Sequence, residues 1–156
     1  MNSFTLNEEV GRLGCLLFAS IPWYVLVIKD ERYQIISEGG LFFLLIISAI
    51  HLCWAPFFWE SVGLLTGGAI FLHKILPLWW GKSFLGDGDV KLFCLCGLWI
   101  TPEELPVFLI VVGGVGILRC TVARKRRIPF AFPLFCGWFF CVCKIWWQQC
   151  GALYIL

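Results

Sequence analysis

The sequence predicts an all-α protein, a polytopic membrane helix bundle with about six transmembrane helices. Hydrophobic residues make up 60% of the 156 and charged residues only 14%, and long stretches lack the polar face that a soluble amphipathic helix needs. Charges and turn residues divide the chain into six apolar stretches, at 13 to 28, 40 to 59, 61 to 80, 85 to 102, 105 to 122 and 128 to 148. The basic residues gather between these stretches instead of forming a patch. With a formal charge of +2, nucleic-acid binding is not expected.

The first stretch lies between Arg12 and Lys29 and falls short of the roughly 20 residues of a spanning helix, so it is expected to tilt little and snorkel its ends. Glu8, Glu9 and Arg12 precede it. They do not make the basic segment and small-residue cleavage site of a removable signal peptide. The second stretch holds His51 at mid-span, and the third holds His73 and Lys74. Structural roles are expected for all three, the histidines bonded between helices and Lys74 snorkelling to the surface. Trp79, Trp80, Trp146 and Trp147 fall near span ends, where amphipathic rings anchor at the headgroups. Residues 1–156 read as a single integral membrane domain.

Nine cysteines are present, but no CxxC pair is. Cys94/Cys96 and Cys141/Cys143 are two residues apart, which on a helix turns the side chains about 200° away from each other. Buried apolar thiols are expected, with no metal site and no cofactor.

Nine of the twelve Lys and Arg lie on one side of this arrangement: Lys29, Arg32, Lys82, Lys91, Arg119 and the run Arg124 to Arg127. The positive-inside rule makes that side cytoplasmic. The run itself reads as a topology anchor. "WES" and "TPEE" are then tight, acidic outer turns.

The fourth stretch is the informative one. Only eleven residues separate Lys91 from Glu103, about 17 Å of helix, well short of a bilayer core. The helix must begin earlier, near Leu85. Asp87, Asp89 and Lys91 are thereby drawn to or below the cytoplasmic surface, where ionisable groups need partners or water. Gly86 and Gly88 let the chain turn sharply and allow another backbone to approach. The remaining aspartate, Asp30 in "YVLVIKDERYQ", is expected at the same depth.

Two carboxylates at one depth on different helices can share a proton, since neighbouring like charges force their pKa values apart. One then activates water while the other polarises an amide carbonyl, which is aspartic peptidase chemistry. The same residues equally fit interfacial charges paired with Lys29, Arg32 or Lys91.

Gly86-Asp87-Gly88-Asp89-Val90-Lys91 matches the extended G-x-G-D-x-K form of the type IV prepilin peptidases, and the chain resembles that family of intramembrane aspartic endopeptidases. Asp30 looks like its first catalytic aspartate, and "IPFAFP", Ile128 to Pro133, resembles its P-F-x-P element. The resemblance implies Asp30 and Asp89 as the catalytic pair, supported by Gly86, Gly88 and Lys91. It also implies a prepilin or pseudopilin precursor as protein substrate, cut at the cytoplasmic face of a bacterial inner membrane. Larger members carry paired CxxC motifs and an N-methyltransferase activity, which is not expected here. The oligomeric state stays open.

Two departures stand out. The family often has Pro and then Asn or Asp where Ser37 and Glu38 stand, and Asp87 places a second acid beside Asp89, whose charge would raise a carboxyl pKa unless Lys91 compensates. Presenilin-like and signal-peptide-peptidase-like proteins pair GxGD with Tyr-Asp and Pro-Ala-Leu elements, which are absent. Two alternatives remain: a transport or assembly subunit whose carboxylates bind a proton or cation, and a degenerate peptidase without turnover.

Overall fold

A computed structural model describes residues 3–53, 58–81, 85–123 and 129–153. These form six helices and, among the described residues, no strand: α1 (Ser3–Tyr33), α2 (Glu38–His51), α3 (Trp59–Trp80), α4 (Asp87–Gly97), α5 (Leu105–Ala123) and α6 (Ala131–Leu153). Leu13–Tyr33, Trp59–Trp80 and Pro102–Val122 are long and apolar enough to cross a membrane, and Glu38–His51 and Ala131–Ile145 are shorter apolar helices. The bundle expected from the sequence is observed, with different boundaries. The Arg124 to Arg127 run lies outside the described residues.

One stripe of α1 faces inward: Cys15, Ala19, Trp23, Leu26 and Val27 are buried, and Asp30 continues the same row. Helical spacing at i, i+3 and i+4 makes these residues one face, so Asp30 occupies a core position. Phe18, Ile21 and Tyr24 point outward. An apolar outer surface belongs in lipid, where it needs no polar cover. The helix runs past the expected stretch at both ends and stops at Gln34, whose φ of 53° is left-handed and whose N–H bonds back to the Asp30 carbonyl at 2.9 Å.

The third apolar stretch is one helix with a widened turn, a π segment over Phe71–Ile75. Pro77 explains it. A proline has no N–H for the carbonyl four residues back, here that of His73, and its ring crowds that carbonyl, so the helix relaxes there. Gly81 at φ 68° ends α3, a conformation that glycine adopts without strain.

Helix α4 is shorter than the expected 85 to 102. It stops at Gly97 because Leu98 and Trp99 tighten to i→i−3 bonds, and Thr101, which precedes Pro102, is held extended at φ −72°, ψ 154°. It packs on α2, α3 and α6. At the α3 crossing a Cβ on Gly97 would stand 2.8 Å from the Val62 Cα, so only glycine allows this approach. Trp23, Trp99, Phe108 and Trp138 fill the shared core, with Trp23–Trp138 and Trp99–Trp138 ring centroids 5.7 and 5.5 Å apart.

Polar contacts divide by end. At one end the buried Glu104 carboxylate receives Lys144 at 2.9 Å, and Trp99 Nε1 donates to Ser48 Oγ at 2.8 Å. Asp30, Glu31, Glu38, Lys91 and Arg119 gather at the other. The expected outer turn "TPEE" and the aspartates therefore sit at opposite ends of the bundle.

Candidate active site

Asp30 and Asp89 line one cavity of about 300 Å³, together with Gln34, Ile36, Glu38 and Lys91. At about 30 Å³ per molecule this holds several waters or a short extended peptide. The structure brings together the two carboxylates that the sequence separates by almost sixty positions. They come from different helices at the same end of the bundle.

Each is held by a backbone N–H. The Ala131 N–H, at the first residue of α6, donates to Asp30 Oδ2 at 2.9 Å. The first amides of a helix lack intrahelical acceptors, so this buried carboxylate satisfies one of them. Pro129 and Phe130 precede that helix, which is how the P-F-x-P element comes to bear on the site. Glu31, the next residue of α1, takes Arg119 at 2.7 Å, and the Arg119 guanidinium lies 4.4 Å from the centre of the Phe132 ring. These contacts pin the ends of α1, α5 and α6 around Asp30.

Asp89 is the third residue of α4. Its Oδ2 accepts the Gly86 N–H at 3.1 Å, the reach-back of a capping box, and an acid in the first turn suits the positive end of the helix dipole. Helix α4 is outside the three long spans. Burial pushes the Asp89 carboxyl up to about 6; the Gly86 N–H opposes this and the Asp30 charge adds to it.

Gly88 keeps the turn close: a Cβ there would stand 2.7 Å from the Ile36 Cβ. Gly86 is different, since its φ of −80° and ψ of 159° are open to any residue. What Gly86 supplies to the site is its N–H.

Lys91 Nζ donates to Glu38 at 2.7 Å, and the Asp87 charge also acts on it. Asp87 meets His73 Nε2 at 2.9 Å. Lys29 reaches Ser37 Oγ at 3.4 Å. Among the described residues neither Asp30 nor Asp89 forms an ion pair with Lys29, Arg32 or Lys91, so the interfacial ion-pair reading does not describe this site.

Sequence reasoning missed three participants. Glu38 stood as a departure from a motif, yet it fixes the motif lysine at the cavity rim. His73 stood as a histidine bonded between helices, and it does bond across, but to the GxGD turn. Gln34 attracted no notice and closes α1 in a strained conformation on the cavity wall. An acid opposite a lysine on another helix could have been sought, whereas the other two carry no local signal.

The model of the type IV leader peptidase family matches residues 16–121, which include Asp30 and the whole Gly86–Lys91 motif. A prepilin leader peptidase/N-methyltransferase from Stutzerimonas stutzeri is 23% identical over 185 residues, covering 98% of this chain and 63% of that protein. The chain thus spans less than two thirds of the length of that relative. No solved structure gives a significant match. With more than half of its residues matched to the family model and both aspartates inside the match, the chain belongs to the type IV leader peptidase family.

Proposed function

We propose that this chain is an intramembrane aspartic endopeptidase, a single membrane domain that removes the leader from prepilin or pseudopilin precursors. The observation that carries the reading is the shared cavity of Asp30 and Asp89. Family membership supports the peptidase class, and the resemblance of the Gly86–Lys91 motif supports the substrate.

The chemistry follows from two carboxyls holding one proton between them. The ionised partner takes a proton from water, and the protonated one polarises the scissile carbonyl. As the tetrahedral intermediate collapses, the proton passes to the leaving nitrogen, so base and acid exchange roles. The cavity volume admits an extended backbone beside a water. Lys29, Arg32, Lys91 and Arg119 lie at the aspartate end, which supports cleavage at the cytoplasmic face of a bacterial inner membrane.

The test is cleavage of a coexpressed prepilin by the wild type and by Asp30→Asn and Asp89→Asn. Wild-type processing that disappears in both variants is the expected result. Processing at the wild-type rate by either variant would end the dyad assignment. Wild-type protein that cleaves nothing but carries an aspartate-dependent ion flux would make the chain a transport subunit.

A further inference from the structure

The mechanism leaves Asp87 unused, although it stands between the two glycines of the motif. Its neighbour His73 comes from the widened turn of α3, and the ring makes two contacts with the segment that leads into α4. Nδ1 lies 2.6 Å from the Leu85 carbonyl oxygen and Nε2 lies 2.9 Å from Asp87 Oδ1.

The proton positions follow from the partners. A carbonyl only accepts, so Nδ1 carries a hydrogen and donates it to Leu85. In a neutral ring Nε2 then has only a lone pair, which cannot bond an ionised carboxylate. With a second hydrogen, on Nε2, the ring grips the turn at a backbone and a side-chain point together.

Between those two points lies Gly86, whose N–H holds Asp89. A Gly-Asp-Gly turn has one side chain with which to be anchored, that of Asp87. The exposed half of the grip, at Asp87, contributes little alone; the half-buried contact to Leu85 fixes the ring that receives it. The π segment, a distortion often found at functional positions, is where this ring originates.

We propose that His73 is a positioning residue, which clamps the Gly86–Gly88 turn through Leu85 and Asp87 and so sets where the Asp89 carboxylate stands relative to Asp30. This rests on the peptidase reading above. His73 touches neither substrate nor reacting atoms. It acts through the turn.

The test uses the full chain in detergent and a synthetic precursor, a short basic leader followed by a hydrophobic helix. His73→Ala is expected to lower kcat roughly 10- to 100-fold, the scale of an ångström-sized misplacement, and Asp87→Ala to lower it by less, both with KM little changed. The double variant should fall no further than His73→Ala, because Asp87 is held only through the ring. Asp87→Asn should recover most of the rate, since its amide can donate to the Nε2 lone pair. Without turnover, nitrogen NMR of the imidazole should show a hydrogen-bonded Nδ1–H that weakens in Asp87→Ala. Additive losses, equal losses in Asp87→Asn and Asp87→Ala, or an effect confined to KM would overturn the clamp. A wild type that cleaves while His73→Ala keeps its kcat overturns the clamp alone, whereas a wild type that never cleaves overturns the peptidase reading and the positioning role with it.

Discussion

Asp30 and Ala131, 101 positions apart, are joined by a hydrogen bond of 2.9 Å from the Ala131 N–H to the Asp30 carboxylate. The bond ties the end of α1 to the first residue of α6, and it makes the carboxylate a structural acceptor besides the reactive role proposed for it. Asparagine and alanine separate the two tasks. Asp30→Asn keeps an oxygen for the N–H and should fold with little change in Tm while losing about 10²- to 10⁴-fold in kcat. Asp30→Ala strands a buried donor and should also cost about 1–3 kcal/mol in denaturant unfolding. Equal stability of the two variants would dismiss the structural task.

Asp89 titrates higher in the folded protein than an ordinary aspartate, at about 6 against 3.8. The sign follows directly: a carboxyl whose folded pKa is raised stabilises the fold while it is protonated. Its contribution is complete below about pH 3.8 and lost as pH rises through about 6. Across that window the stability of the wild type should decline relative to Asp89→Asn, which cannot ionise. Parallel curves of Tm against pH for the two proteins would contradict it.

Lys91 and Glu38 meet at the cavity rim, both exposed. An exposed pair does little for stability, so its effect is expected on turnover. Lys91→Ala and Glu38→Ala should each slow cleavage, and exchanging the two residues should restore part of the rate. Failure of the exchange together with additive single losses would show that the two act separately.

Gln34 holds a left-handed φ of 53°. For a residue with a Cβ this conformation costs roughly 1–2 kcal/mol, part of which Gln34→Gly returns. Urea unfolding should show a higher midpoint for the glycine variant. A lower one would mean that the Gln34 side chain stabilises the cavity wall more than its backbone strains it.

Gly97 touches the backbone of α3 at Val62. Gly97→Ala must push α3 from α4, at a cost of about 1–3 kcal/mol, visible as a lowered Tm. An unchanged Tm would show that the crossing can open freely.

The helices were legible because each apolar run is bounded by charges or turn formers, and membrane burial leaves such runs few alternatives. Their ends were less so: α1 continues to Tyr33 through charged residues, since Asp30 extends its buried stripe and Arg32 and Tyr33 lie on the exposed face. Asp30 and Asp89 could be paired because aspartate is so scarce in this chain. The contacts of His73 and Glu38 could not be read. Each depends on how two helices rotate against one another, which packing around Trp23, Trp99 and Trp138 decides and local spacing does not encode.

The bond between Asp30 and Ala131 also orders events in time. Asp30 leaves the ribosome a hundred residues before the amide that receives it. Until α6 is made, the Asp30 carboxylate has no Ala131 N–H to hold it. On the proposed reading, cleavage then waits until α6 is threaded, and topogenesis itself serves as the safety catch.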